Sequence, residues 1–209
     1  MVSIDTLFSR IIPLVPGCSE PMARQAALDA TIRFCDMSNV MRERIDTFST
    51  ISGLVSYDLE TPSSQLRISR ILSVTIDDVP IKGVFEEDVP KLATAEGKPQ
   101  MFYTTRAGSE LVVNFYPKPD AAYSVKITAS FAPTLNATTI ENDLVDYWYR
   151  GIVAGAVSII AAIPNMPFTN PQLAAFKEQE FMQVCDQAKK ESYYGHIRGG
   201  MTMKQRPLA

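Results

Sequence analysis

Hydrophobic and polar positions alternate with a helical period near the N-terminus. Apolar residues recur there at the spacing of one helix face: Ala23, Ala27, Ala30 and Phe34. Ser19 is a residue type that caps helices, so the pattern predicts an amphipathic helix from Ser19 to about Met41. Asp29 and Arg33 fall on another face of this helix, and we expect them to form an i,i+4 ion pair.

The period changes to two between about Arg42 and Pro133, which is typical of strands with one buried face. The clearest strand has its apolar positions at Tyr123, Val125, Ile127, Ala129 and Phe131. Residues 100–106 and 110–116 flank a short Gly-containing link and predict a hairpin. Another strand is expected just before the Asp77-Asp78 turn. Several short strands with such turns favour an antiparallel sandwich or a partly open barrel.

Two long helices are predicted after the strands. Thr138 and Glu141 have capping-box spacing, so the first of these helices should begin there and end before Pro164. Gly151 and Gly155 lack side-chain bulk and allow another backbone to approach closely. The second helix should begin at Asn170-Pro171, a cap followed by proline, and end before Gly195.

These elements predict an α+β fold in which a helical block from both chain ends packs together and an antiparallel β-sandwich or partly open barrel is inserted between them. Four segments follow from the pattern. They are an N-terminal helical segment (1–42), a β domain (43–136), a C-terminal helix pair packing on the N-terminal helices (137–194) and an extended tail (195–209).

Charge is distributed unevenly over the 209 residues, of which 46% are hydrophobic and 21% charged. The formal net charge is −3, but residues 195–209 contain three basic residues and no acidic one. The remainder therefore has 17 basic and 23 acidic residues, or −6. Because affinity for nucleic acid comes largely from Lys and Arg, an acidic body should let DNA pass without binding it.

Neither a membrane segment nor a secretory leader is predicted. The longest apolar run, 151–163, is shorter than the roughly 20 residues that a spanning helix needs, so we expect a buried helix. Residues 1–9 alternate apolar and polar positions, unlike a signal peptide. The protein is therefore expected to remain in the cytoplasm where it is made.

The pattern favours no enzyme, no cofactor and no metal site. Cys18, Cys35 and Cys185 are odd in number and widely spaced, so we expect reduced packing residues. The single histidine, His196, lies in a Gly-rich tail that gives it no fixed partner. The adjacent acids at 77–78 and 86–88 could be metal or acid/base carboxylates, but they are more typical of solvated turn caps.

Two further features of the sequence each allow two interpretations. The 147–150 cluster (YWYR) could stack bases, although Trp148 turned inward and Tyr147 outward would suit a core or subunit contact. The tail is either a frayed end or a strap that orders on a partner. The strap would use four apolar anchors and three charge contacts: Ile197, Met201, Met203, Leu208, Arg198, Lys204 and Arg206.

Several motifs together resemble the head-to-tail adaptor (connector) proteins of tailed bacteriophages. The resemblance begins with 11–21 (IIPLVPGCSEP) and 26–35 (AALDATIRFC). It continues with Tyr57-Asp58-Leu59 as the first β strand, 116–120 (YPKPD) as a turn, Arg150 and Gly155-Ala156 in the third helix, and Asn170-Pro171, Ala174, Phe181 and Ala188 in the closing helix. The chain departs from the family at Met41, where an aromatic residue is common, and at Phe168, where Trp is common.

This resemblance implies a structural virion protein at the head–tail interface, made in the host cytoplasm. It implies a homo-oligomeric ring, commonly of about twelve copies, that binds the portal above and a tail nozzle or tube protein below. Genomic DNA would pass through the ring during ejection without specific binding. The alternatives are another tail-completion or nozzle-associated structural protein, or a small carbohydrate- or nucleic-acid-binding module.

Overall fold

The computed structural model describes residues 1–89, 95–108 and 110–194 and shows a mixed α/β fold with four α-helices and a curled sheet. The chain opens with β1 (Val2–Ser3), two 3-10 turns and the short helix α1 (Phe8–Ile11). Helix α2 (Glu20–Ser38) begins after Ser19, as predicted. It ends three residues before the predicted Met41 because Asn39 adopts a left-handed conformation with φ of 51° and bonds through its N–H to the Cys35 carbonyl.

A single seven-stranded sheet follows and curls into a half-barrel. Its strands are β2 (Arg42–Ser49), β3 (Ser56–Asp58), β4 (Leu66–Ile76), β5 (Val79–Gly83), β6 (Met101–Ala107), β7 (Glu110–Tyr116) and β8 (Ser124–Pro133). Their spatial order is β2-β8-β4-β5-β6-β7-β3. The predicted hairpin is present as β6 and β7, and the predicted strand before Asp77-Asp78 is β4.

The expectation of a purely antiparallel sheet is wrong at one pair. Strands β5 and β6 run parallel, with Lys82 opposite Met101 and Gly83 opposite Phe102. The link of 17 residues between them contains a 3-10 turn at Glu86–Asp88 and is long enough to carry the chain back to the end of the sheet at which β5 begins, as a parallel pair requires. The tight turn at Asp77-Asp78, where both residues have positive φ, joins β4 and β5 in the antiparallel sense that the sequence predicted.

Helix α3 (Asn142–Ala161) begins after Glu141 and not at the predicted capping box. Thr138 donates its backbone N–H to the Gln65 side chain, 2.8 Å away, and Thr139 belongs to β9 (Thr139–Ile140), which pairs with β1. Both threonines are thus held outside the helix by long-range contacts. Helix α4 (Pro171–Tyr194) starts as predicted, since the Asn170 side chain accepts the N–H of Leu173 at 3.0 Å.

Helices α2, α3 and α4 approach one another closely at the two glycines of α3. A Cβ atom at Gly151 would lie 2.7 Å from Val184 of α4. One at Gly155 would lie 2.7 Å from the Phe181 ring and 3.1 Å from Ala30 of α2. The space at these two glycines is filled by side chains of α2 and α4, whereas the sequence predicted the approach of another backbone.

The predicted Asp29–Arg33 ion pair is wrong. Arg33 instead reaches α4, where its Nη2 lies 2.6 Å from Oε1 of Glu178. Asp29 accepts a hydrogen bond from Gln25 at 2.9 Å. The other carboxylate oxygen of Glu178, Oε2, accepts a hydrogen bond from the Ser158 hydroxyl of α3 at 2.9 Å.

Buried apolar residues form two clusters that meet on strand β8. The helical cluster is built from the N-terminal elements, α3 and α4, and its largest members include Phe34 and Phe181. The sheet cluster lies inside the half-barrel and includes Phe115 and Ile127. Within the described residues one helix, α3, is long and apolar enough to cross a membrane by length and composition, but 61% of its apolar window is buried inside the fold.

Candidate interaction surface

A groove of about 680 Å³ lies where the helices meet the sheet, and we call it the junction groove. Three separate parts of the chain form it. Residues 40–43 come from the link after α2 and the first two residues of β2, residues 141–148 from the start of α3, and Glu191 and Ser192 from the end of α4. Leu66 and Phe131 of the sheet complete the lining. The groove is thus a product of tertiary packing and has no counterpart in any local sequence pattern.

The floor of the junction groove is apolar. Trp148 points inward, is 9% exposed and packs 5.8 Å from the Phe34 ring, whereas its neighbour Tyr147 is 74% exposed on the groove wall. The predicted inward and outward orientation of this aromatic pair is confirmed. Leu144 and Phe131 are buried beside Trp148. Because Trp148 is enclosed by core side chains, it is not a free platform for stacking bases.

The rim of the junction groove is acidic. Four carboxylates line it, from Glu43, Glu141, Asp143 and Glu191, against the single guanidinium of Arg42. The Arg42 Nε atom is already hydrogen-bonded to the Asn39 carbonyl at 3.2 Å. None of the four carboxylates has an ion-pair partner within 1–89, 95–108 and 110–194. The groove therefore favours a cationic occupant with apolar side chains.

The end of helix α4 is fixed at this groove. Ser192 donates a hydrogen bond to the Ser38 carbonyl at the end of α2, 2.9 Å away. The described chain ends two residues later, at Tyr194. All seven predicted portal-docking residues, from Ile197 to Leu208, lie outside the described residues, as does His196. The last described turn of α4, which contains Glu191 and Ser192, lies at the rim of the junction groove.

A second groove of about 570 Å³ follows the opening of the half-barrel, and we call it the edge groove. It runs between β2 and β3, the two outermost strands of the sheet. Phe48 and Tyr57 pack together at one end with ring centroids 5.4 Å apart. In the described part of the chain β2 pairs only with β8 and β3 only with β7, so each strand presents one unpaired edge.

Large apolar side chains are exposed outside both grooves. On α4, Phe176 and Tyr194 are 18 residues apart, which is five helical turns, so they share one outward face. Others lie on loops and strands: Leu135, Phe85, Val79, Ile51 and Met166. Scattered exposed residues are ordinary, but two aromatic side chains on one helix face are typical of a contact surface.

The candidate carboxylates in turns are engaged in surface contacts. Asp77 accepts hydrogen bonds from Lys98 at 2.6 Å and from the Ser124 N–H at 3.0 Å, and the bond from Lys98 lowers the pKa of Asp77. Asp78 pairs with Lys126. These contacts fit the interpretation of solvated turn caps, and no group of three or more metal-binding side chains occurs among the described residues.

The three cysteines are unpaired thiols buried in the fold, as predicted. Burial raises the pKa of the Cys185 thiol to about 12, and burial raises the pKa of Cys35 as well. A thiol must ionise to act as a nucleophile, so these two are held in their unreactive form near neutral pH. Their contribution is packing in the helical cluster.

No protein-family model matches the chain, and no curated protein matches it. The resemblance to head-to-tail adaptors therefore depends on the motifs quoted above. The Tyr57-Asp58-Leu59 motif lies at β3 and is preceded by β2, so it is not the first strand of the β segment. Neither groove was predicted from the sequence, since each is lined by separate elements that meet only in the folded chain and no local pattern marks it.

Proposed function

We propose that this chain is a structural head-to-tail adaptor of a tailed-phage virion and has no catalytic role. Copies of it form a closed ring, commonly of about twelve in the family it resembles, between the portal and the tail. The support for this assignment is the sequence resemblance, which spans most of the chain. The structure contributes surfaces that are suited to assembly.

The structural observation that supports a ring is the open half-barrel. Its outermost strands β2 and β3 both leave an edge unpaired among the described residues, while the outward face of α4 presents Phe176 and Tyr194. A ring needs heterologous contacts, in which one surface of a subunit binds a different surface of the next. An open strand edge and an aromatic helix face are two such different surfaces.

The charge of the body supports a role around DNA. Outside residues 195–209 the formal charge is −6. A ring lumen lined by such a surface repels phosphates and allows the genome to move without being held. The proposal assigns no DNA-binding residue.

In the proposed arrangement the helices from both chain ends act as one block, with the half-barrel inserted between them. The helical block and the tail bind the portal, and the half-barrel faces the tail nozzle or tube protein. The Arg33–Glu178–Ser158 contacts connect α2, α4 and α3 and support treatment of the helices as one unit.

The test is to mix the purified protein with portal protein and image the complexes by electron microscopy, beside a variant that lacks residues 195–209. We expect rings on the portal for the full chain and weakened or absent docking for the variant. The variant should keep its fold, because among the described residues the members of the two buried clusters lie between positions 4 and 188.

Three outcomes would decide against parts of the proposal. Equal portal binding by the shortened variant would remove the tail from the docking surface. Binding to nozzle or tube proteins but not to portal would favour the alternative of a tail-completion or nozzle-associated protein. A chain that stays monomeric beside all of these proteins would contradict a ring.

A further inference from the structure

We propose that residues 195–209 bind in the junction groove of their own chain when the protein is free. The groove is an acidic and apolar surface at the helix–sheet junction, and the tail is the basic and apolar segment that begins beside it. This inference does not depend on the proposed function, because it concerns the isolated chain.

The tail starts at the groove that it would occupy. Glu191 and Ser192 of α4 line the junction groove, and Ser192 fixes this end of α4 to Ser38. The 15 residues after Tyr194 reach up to about 50 Å when extended. Attachment at the rim also gives the tail a local concentration on the order of millimolar, which favours binding to its own chain.

The charges of groove and tail are complementary. The ionisable side chains that line the groove have a formal charge of −3, from four carboxylates and one guanidinium. Arg198, Lys204 and Arg206 give the tail side chains a formal charge of +3, with His196 neutral. Opposite charges of equal size at short range favour association and make it sensitive to salt.

The groove and the tail also both present apolar side chains. The groove offers a floor that includes Trp148 and Leu144, and the tail offers Ile197, Met201, Met203 and Leu208. Methionine is unbranched and fills irregular apolar surfaces well. A groove of about 680 Å³ is in the range that encloses several side chains.

The edge groove is the rival site within the same chain. It is also acidic, with Glu43, Asp46, Asp58 and Glu60 against Arg44 in its lining, and it shares Glu43 with the junction groove. No part of α4 lines it, so the tail has no attachment at its rim. The junction groove is favoured because it combines charge, an apolar floor and the point from which the tail departs.

Trp148 is the only tryptophan of the chain and belongs to the groove lining, so its fluorescence reports occupancy. The experiment measures acrylamide quenching of Trp148 in the full chain. One variant reverses charge at two residues that line the junction groove alone, Glu141→Lys with Glu191→Lys, and another reverses it in the tail, Arg198→Glu with Lys204→Glu. Each should lower the ratio of docked to undocked chains about tenfold and increase quenching, since a few screened charge contacts are lost.

Combining the two pairs of reversals should restore the quenching of the unmodified chain, because opposite charges face each other again. The matched control, Asp58→Lys with Glu60→Lys in the edge groove, should leave quenching unchanged. Raising the salt concentration should increase quenching in the unmodified chain only modestly, since the apolar contacts remain.

The proposal is overturned if tail reversal leaves Trp148 quenching unchanged, or if the combined variant fails to recover. It is equally overturned if the edge-groove control produces the effect. An effect that grows with protein concentration would show that the occupant is the tail of a second copy, which contradicts binding within one chain.

Discussion

Apolar side chains are buried in different ways in the helical region and in the half-barrel. In the helical region, side chains from three helices meet around glycines of α3, and Phe34 packs 6.4 Å from Phe181 with both rings fully buried. In the half-barrel, the sheet encloses its cluster on one side only, and Phe48 and Tyr57 lie half-buried at the opening. The first region is closed on itself, while the second leaves strand edges that another chain can complete.

This difference indicates a division of roles. Close packing makes the helical region resistant to changes of volume, so it is suited to hold a fixed shape. An open sheet tolerates change at its edges and offers backbone groups for pairing. Substitutions that make the same chemical change in each region should therefore have unequal effects.

The largest difference is expected between two Phe→Ala substitutions. Phe181→Ala should lower the free energy of unfolding by about 3–5 kcal/mol, because it leaves a cavity among three helices. Phe48→Ala removes the same atoms at the barrel opening, where solvent and neighbours can fill the space, and should lose only about 1 kcal/mol. Urea denaturation measures both, and equal losses would contradict the comparison.

A smaller effect is expected from filling the space at Gly155. The Gly155→Val side chain would overlap the Phe181 ring and should lower the free energy of unfolding by about 1–3 kcal/mol. Ala175→Val on the exposed face of α4 is the control and should change stability by no more than about 0.5 kcal/mol. A Gly155 variant as stable as the control would show that the helices can separate without cost.

The next effect concerns the residue between the two regions, Asn39. It has φ of 51°, and its buried Oδ1 has no hydrogen-bond partner in the part of the chain that the structure describes. Asn39→Gly should raise the free energy of unfolding by about 0.5–1 kcal/mol, because glycine accepts this conformation and removes the unpaired oxygen. Asn39→Ala keeps the strain and should be destabilising. Thermal denaturation of both variants distinguishes these outcomes, and a stabilising alanine would contradict the explanation.

The contact between α2 and α4 should give a small and pH-dependent effect. The hydrogen bonds from Arg33 hold the pKa of Glu178 below its ordinary 4.5. The carboxylate therefore contributes stability above that pH, and the contribution is lost as the pH falls through the lower folded pKa. Glu178→Gln should cost at most about 1 kcal/mol at pH 7, since both side chains are roughly 40% exposed.

The stability lost in Glu178→Gln should depend on pH. The difference in unfolding free energy between the unmodified chain and Glu178→Gln should shrink from pH 7 to about pH 3, because glutamine does not titrate. Glu180→Gln on the same helix loses only a pair with Lys177 three residues away and should cost less at pH 7. A difference that is constant with pH would assign the loss to packing and not to charge.

Elements that depend on local pattern were predictable. Ser19 and Asn170 mark the starts of α2 and α4 because capping acts over a few residues. The alternation in β8 predicted the burial of Val125, Ile127, Ala129 and Phe131, although Ser130, on the face expected to be polar, is buried as well. Predictions failed where distant segments compete with local preference. Thr138 does not cap α3, because its backbone N–H bonds to the Gln65 side chain and the next residue, Thr139, pairs with β1. Arg33 likewise pairs with Glu178 of the distant helix α4 and not with Asp29 of its own helix.

The amino-acid sequence by itself determined the order of the long helices, the buried face of α2 and the opposite charges of body and tail. Only the tertiary structure decided the parallel β5–β6 pair, the open barrel edges and the junction groove. The physical reason is the range of the interactions involved. Periodicity and caps act between residues a few positions apart, whereas the groove brings together residues 40–43, 141–148 and 191–192, which meet only when the helices pack on the sheet.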